Sequence, residues 1–299
     1  MESSRAVRRP TVFLSALTAV ALACGTAYLK THDGGGGPVV SSAAAATSSP
    51  AAPTEEEPVR EPEADHAALL KTAMAAVTVP EGAALSVGVL DLGSGDSAVF
   101  GEGSFDTASI VKVDILAALL LQAQDSGRRL TAQERAYATA MIESSDNDSA
   151  SALWNGIGRA EGLDAANARF GMSGTEGGEG MLWGLTQTTA ADQLVLLRQV
   201  FGEESELSEV SREYVRGLMG QVVAGQRWGV SAAGTGWALK NGWLPRSATG
   251  LWDVNSIGRV TAGDASYLVA VLSDGNLSMG AGVSLVEEVA RVAVGVFGA

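Results

Sequence analysis

Usable histidine and cysteine are what this 299-residue sequence most conspicuously lacks. Its one cysteine is Cys24 and its two histidines are His32 and His66. All three precede residue 67, where the pattern first reads as folded. That excludes a disulfide framework and a Cys/His metal site. It also excludes a thiol nucleophile and a hydroxyl–imidazole–carboxylate triad. Acyl-transfer chemistry here would need a lysine or a carboxylate as its base, and no metal or organic cofactor is expected. Positive charge is scarce too. With 20 Lys and Arg against 34 Asp and Glu the formal charge is −14, which leaves no basic stripe for nucleic acid. Part of that excess sits in one acidic stretch (Glu55, Glu56, Glu57, Glu61, Glu63, Asp65). What remains, 46% hydrophobic residues and 37 glycines, suits a globular domain with many turns, and the length allows one large domain or two small ones.

The first thirty residues read as a targeting segment. Arg5, Arg8 and Arg9 form a basic start, and Thr11 to Leu29 is uncharged, the pattern of an export signal. A bilayer span needs about 20 apolar residues, and this run comes close. Three outcomes stay open: cleavage to a secreted protein, retention as a membrane anchor with the arginines inside, or lipidation at Cys24 after Ala21-Leu22-Ala23. Arg8-Arg9 also reads as a weak twin-arginine signal. Asp33 to Asp65 holds four consecutive glycines, five of the eight prolines and no aromatic residue. It cannot bury enough apolar surface to offset its ordering entropy, so it is expected to be a disordered tether. The expected division is 1–30 signal or anchor, 31–65 linker and 66–299 folded domain, working outside the cell membrane, either secreted or tethered to the outer face of the cytoplasmic membrane.

Periodicity over the rest predicts a helix at Ala67–Val77 and strands at Leu85–Leu92 and near Val99. A helix apolar on nearly all sides follows from Ser109 to about Gln124. Further helices are expected at Thr131–Ser144, Ser149–Trp154, Ala165–Phe170, Thr188–Phe201 and Ser208–Val223, broken by a glycine-rich loop, Gly171–Gly184. Strand patterns return at Trp237–Trp243, Trp252–Val260 and Tyr267–Leu272, and a helix closes the chain at Ser284–Val296. Strands at both ends must join one sheet, because a lone hairpin is marginal in water. The expected fold is α/β (α+β): an antiparallel sheet covered by the terminal helices, with an all-helical lobe inserted and a cleft between the two.

Three short elements in this order carry chemistry. Ser109-Ile-Val-Lys112 stands where strand gives way to buried helix, and residues three apart share a helix face. A lysine whose pKa is depressed by burial can take a serine proton. An exposed Ser/Lys helix pair would be the ordinary explanation, but Lys112 is the sole charge between Asp106 and Asp114 in an apolar run. Ser145-Asp146-Asn147 follows the next helix, where capping alone would account for such residues. Lys240-Asn241-Gly242 lies on a strand; its lysine can hold a substrate carboxylate and its glycine allows close backbone approach, though an edge-strand lysine that guards against aggregation is also common.

Together the three resemble the Ser-x-x-Lys, Ser-Asp-Asn and Lys-Thr-Gly set of class A β-lactamases and penicillin-binding proteins. Phe105-Asp-Thr-Ala-Ser-Ile-Val-Lys-Val, Gln226-Arg-Trp-Gly and Val254-Asn-Ser-Ile-Gly are similar to that superfamily as well. The resemblance spans Ala67 to Ala299 and implies the β-lactamase/transpeptidase-like fold. It implies acylation of Ser109, with Lys112 as base or proton-network member and Ser145 as relay to the leaving nitrogen. Asn147 would bind the substrate amide, and Lys240, Asn241 and Gly242 its carboxylate side. The backbone N–H groups of Ser109 and Trp243 would form the oxyanion hole. The implied partner is a small-molecule β-lactam or a cell-wall peptide, and the chain is expected to be a monomer. Departures are Asn241 in place of threonine, a short stretch between Ser109 and Ser145, and no Glu-x-x-Leu-Asn before Thr188-Thr189. Glu176 and Glu179 are the candidates for the deacylating base, with solvated loop acids as the alternative. A D,D-peptidase and a non-catalytic wall-binding protein remain the competing functions.

Overall fold

The computed structural model describes residues 64–298; the basic start, the run containing Cys24 and all but the last two linker residues lie outside them. No described helix is long and apolar enough to cross a membrane. Asp65, counted with the linker by sequence, caps helix α1 (His66–Met74) by accepting the Ala68 N–H at 3.0 Å. His66 was expected to precede the folded part. It is instead the first residue of α1, and its ring stacks on Phe297 with centroids 4.1 Å apart. The partner lies at the far end of the chain, so no local pattern announces it.

The main sheet has five antiparallel strands in the order β2-β1-β7-β6-β5. Its members are β1 (Ala84–Asp91), β2 (Ser97–Phe100), β5 (Gly236–Pro245), β6 (Trp252–Ala262) and β7 (Ala265–Asn276). A separate ribbon pairs β3 (Phe105–Asp106) with β4 (Gln187–Thr188), which the sequence reading did not foresee. Two-residue strands carry no periodic signal. β6 and β7 are joined across Gly263-Asp264, where Gly263 takes φ +59°, a left-handed conformation suited to a tight hairpin.

Both faces of the sheet are covered, so its central strand is apolar and buried from Tyr267 to Leu272. In β7, Tyr267, Val269 and Val271 pack with α1 and α8 (Met279–Phe297), while Leu268, Ala270 and Leu272 belong to the core of the helical lobe. Alternation of side chains along the strand divides them. The lobe comprises α2 (Val111–Asp125), α3 (Ala132–Glu143), α4 (Asn147–Ile157), α5 (Arg159–Phe170), α6 (Ala190–Phe201) and α7 (Glu209–Met219). Every residue of α2 from Val111 to Leu121 is buried, which is why its sequence shows no polar face. Full burial of each leucine or isoleucine contributes about 1.5–3 kcal/mol. α3 begins at a capping box, with Thr131 accepting from the Glu134 N–H and Glu134 answering on the Thr131 N–H.

Boundaries moved where tertiary contacts extend an element. α5 starts at Arg159, and α8 begins at Met279 behind the Ser278 cap. The α2 end matters most: Ser109 sits in a 3₁₀ turn, Ala108–Ile110, one step before the α-helix proper.

Candidate active site

The approach to Ser109 is held under local strain. Ala108 adopts φ +47° and Ser145, across the cleft, φ +58°. Left-handed non-glycine residues persist only where surrounding contacts over-determine them, and they concentrate at functional sites. From this turn Ser109 is half-buried, while Lys112, one turn on, is fully buried.

The Lys112 ammonium is the hub. Nζ donates to Ser109 Oγ at 3.1 Å, Ser145 O at 2.7 Å, Ser145 Oγ at 3.1 Å and Asn147 Oδ1 at 2.8 Å. Four acceptors surround a group with three protons, so at least one proton is shared. Burial pulls the Lys112 pKa from 10.5 down to about 8, against the opposing pull of the Asp146 charge. An amine that surrenders a proton near neutral pH, 3.1 Å from a hydroxyl, is equipped to take that hydroxyl's proton.

The capping role that competed for the Ser145 segment falls to Asp146, whose carboxylate accepts the Ser149 N–H at 2.7 Å and opens α4. Ser145 and Asn147 are left to face Lys112. From the sheet side Lys240, fully buried, donates to Ser145 Oγ at 3.0 Å and to the Asn241 carbonyl at 2.8 Å. Burial, and then repulsion from Lys112, hold its pKa well below the usual lysine value. One hydroxyl, Ser145 Oγ, thus touches both amines.

Gly242 explains itself by contact. A Cβ there would stand 2.7 Å from Ser109 N and Thr107 O and 2.8 Å from Ile110 N, all backbone atoms. Only glycine lets β5 lie against the nucleophile turn. Trp243 follows on the edge strand and lines the same cleft as Ser109. Asn241 does not join them. Its neighbours Lys240 and Gly242 turn to Ser145 and Ser109, and alternation sends Asn241 to the opposite face. There it is buried and donates Nδ2 to the Gln226 and Trp228 carbonyls, each at 2.9 Å. The expected contact with a substrate carboxylate is therefore corrected.

Glu176 and Glu179 are likewise not at the cleft. Both are exposed and neither lines it. The Glu176 backbone is bridged to Gln187, which commits the segment to structure without aiming its carboxylate at Ser109. The group over the Lys112 ammonium is an indole: Nζ lies 4.9 Å from the Trp183 ring centroid, and Trp183 Nε1 donates to Ser151 Oγ at 3.1 Å. Trp183 had escaped the sequence reading. Its one signal was a Met-Leu-Trp cluster inside a stretch of glycines.

Two more residues were missed. Asn255 on β6, fully buried, donates Nδ2 to the Asp106 and Thr107 carbonyls at 2.9 and 3.1 Å, just before Ser109, and accepts the Ser273 N–H at 3.0 Å. Arg246, at the end of β5, pairs with Asp106 at 2.5 Å and with Asp253 at 3.5 Å. The nucleophile turn is thereby fastened to β6 and to the end of β5. Burial, with the charges of Asp106 and Asp274, lifts the Asp253 pKa to about 6 even against Arg246. Among the described residues, no cluster of three or more His, Cys, Asp or Glu side chains could hold a metal ion.

The cleft has a volume of about 730 Å³ and takes in Ser109, Asn147, Ser151, Trp183, Trp243 and Arg246. Residues 121–297 match the model of the family described as the beta-lactamase enzyme family. The chain belongs to that family. The matched span contains Ser145 and Lys240, while Ser109 and Lys112 lie just upstream of it. Membership makes the chain a serine hydrolase by class. Solved structures agree on the fold of this β-lactamase family member. PBP-A is 20% identical with a TM-score of 0.66, over 77% of this chain and 96% of that one. A class A β-lactamase from Bacteroides cellulosilyticus is 13% identical with a TM-score of 0.66, over 78% and 98%. A β-lactamase from Xanthomonas campestris pv. campestris is 20% identical with a TM-score of 0.61, over 78% and 97%. A variant of PBP-A is known as an acyl-enzyme with penicillin G. No curated protein sequence matches this chain.

Proposed function

We propose that this chain is an exported serine hydrolase acylated at Ser109 by β-lactams or related amides. The observation that carries the reading is the 3.1 Å contact between Ser109 Oγ and a Lys112 amine whose pKa is drawn down to about 8. In the acylation step neutral Lys112 takes the Ser109 proton as Oγ bonds to the substrate carbonyl carbon. The carbonyl oxygen gathers negative charge, to be met by the Ser109 and Trp243 N–H groups; one such donor is worth on the order of a hundredfold in rate. As the C–N bond breaks, Ser145 Oγ passes a proton to the nitrogen and is resupplied by the Lys112 ammonium. Lys240, donating to Ser145 Oγ at 3.0 Å, holds that hydroxyl in place for the relay and draws the substrate carboxylate. Asn147 is left to hold the substrate amide.

A second reading, a D,D-peptidase, is favoured by one feature: an indole, with no carboxylate partner, stands over Lys112. A water attacking the acyl-enzyme would find no carboxylate base there, so the adduct would be long-lived. Export rests on the basic start and the apolar run of the first thirty residues. With it goes either release or attachment to the outer face of the membrane, and the chain is proposed to act as a monomer.

The full chain incubated with a fluorescent penicillin, beside Ser109→Ala, tests the nucleophile; a chromogenic cephalosporin tests turnover. Labelling of wild type that the alanine variant loses is expected, and labelling that survives in the variant would sink the assignment. Labelling with little hydrolysis selects the slow-deacylating reading.

A further inference from the structure

We propose that a groove at the opposite end of α2 from Lys112 binds a small amphiphilic anion, an apolar ring or chain bearing one carboxylate or sulfonate. The groove lies among the C-terminal end of α2 and the N-terminal ends of α3 and α7, with a volume of about 480 Å³. That volume falls within the range of small-molecule sites. It shares no lining residue with the Ser109 cleft, so the proposal does not depend on the chemistry there. Its floor is apolar: Leu120, Ala123 and Leu130 line it and are otherwise buried. Tyr214 and Val210 line it from α7. Val210 is 77% exposed, more than any other large apolar side chain among the described residues. An apolar side chain left in water beside a concave apolar floor marks a ligand site.

Charge decides the kind of occupant. Asp and Glu outnumber Lys and Arg 34 to 20 in this chain, yet no Asp or Glu lines the groove, whereas Arg128, Arg129 and Arg135 do. Arg128 is engaged by Glu134, two bonds of 3.0 Å, and Arg135 donates to the Leu130 carbonyl. Arg129 is exposed, and its guanidinium has no ion-pair or hydrogen-bond partner among the described residues. Two helix starts add to the positive field. α3 begins at Thr131, directly after Leu130, and α7 at Ser208, which itself lines the groove. Thr131 and Ser208 cap their own helices, so the direct counter-charge for a ligand is the Arg129 guanidinium. One free guanidinium beside a concave apolar floor calls for one negative charge joined to an apolar body.

The test titrates the full chain with two fluorescent probes, anilinonaphthalene sulfonate and phenylnaphthylamine, which share their rings and differ by the sulfonate. The sulfonate should bind at one saturable site, about tenfold or more tighter than the neutral amine, the scale of one charge-assisted hydrogen bond. Raised salt should weaken the sulfonate and spare the amine. Arg129→Gln should weaken the sulfonate about tenfold and leave the amine within about twofold. Val210→Asp, aimed at the apolar body as well, should weaken both. Both side chains are exposed, so neither change threatens the fold. Lys71→Gln, exposed on α1 across the sheet, is the control and should change nothing. Equal binding of the two probes, or no saturable sulfonate binding, overturns the proposal. So does sulfonate binding that Arg129→Gln leaves intact, which is the result expected if the probe sits in the Ser109 cleft instead.

Discussion

Lys112 Nζ lies 4.9 Å from the centroid of the Trp183 ring. The ring face favours the ammonium over the neutral amine, by about 0.5–1 kcal/mol for such a contact, while burial favours the neutral amine more strongly. In wild type the rate of Ser109 acylation should therefore climb with pH and level off above about 8, since only neutral Lys112 accepts the proton. Trp183→Leu keeps the site dry but removes the ring quadrupole. Its profile should move to lower pH by roughly half a unit, one pKa unit being worth about 1.4 kcal/mol. Stopped-flow acylation between pH 6 and 10 measures this, and an unchanged or upward midpoint would show that the ring does not act on the amine.

Gly242→Ala places a methyl group against three backbone atoms of the nucleophile turn. Backbone cannot swing aside as a side chain can, so β5 must withdraw from Ser109. Penicillin labelling should fall by about a hundredfold, the scale of losing one oxyanion donor. A circular dichroism melt run alongside should show a folded protein; full labelling would mean that β5 plays no part in the step.

Asp114 governs how stability responds to pH. It is buried in the lobe core, held by Gln193 Nε2 at 3.2 Å, and its pKa is pushed up to about 7, chiefly by burial. A carboxyl raised on folding favours the native state while protonated. Its contribution is intact below pH 4 and is lost as pH climbs from the unfolded value of 3.8 to about 7. A shift of that size corresponds to about 4 kcal/mol as an upper bound. Asp114→Asn should thus melt higher than wild type at pH 8, with the gap closing by pH 4. A gap independent of pH would place the effect elsewhere.

Arg246→Gln should expose the strain held in the Asp106–Arg246–Asp253 group. Without the guanidinium, Asp253 faces Asp106 and Asp274 uncompensated, and its pKa rises beyond the present value of about 6. The cost is incurred as pH rises through that range, so the variant should lose more melting temperature at pH 8 than at pH 5. Arg246 is 39% exposed, which keeps the loss below the 3–5 kcal/mol typical of breaking a fully buried pair. Equal losses at both pH values would rule out the electrostatic origin.

The site was legible in the sequence wherever chemistry is carried by a short spacing. Ser109 and Lys112 share a helix face, and Lys112 declared itself by being charged in a run that buries everything else. Asn241 was misjudged because the strand period was not applied: Lys240 and Gly242 turn to the cleft, so the residue between them turns away. Glu176 and Glu179 were named for their chemistry alone, and the loop path that leaves both in solvent is set by the Glu176–Gln187 bridge, a pairing without local signature. Trp183, Asn255 and Arg246 act through partners 30 to 150 positions distant in the chain, such as Ser151 and Asp106. The five main strands, the lobe and the closing helix were readable from periodicity, whereas the two-residue strands β3 and β4 were too short to show any.

Strand β1 finds its partner β7 only at the other end of the domain, Ala84 opposite Asp274 and joined by a hydrogen bond across 190 positions. Ser109, Lys112 and Ser145, which lie between them, are all synthesised before Lys240 and Gly242 exist. Pairing over such distances is slow, because loop closure must precede any gain from contact. The nascent chain therefore carries its nucleophile through more than a hundred further residues before the strand that completes the site is made, and a penicillin adduct on Ser109, where the proposed acylation holds, would date the moment when the sheet has closed.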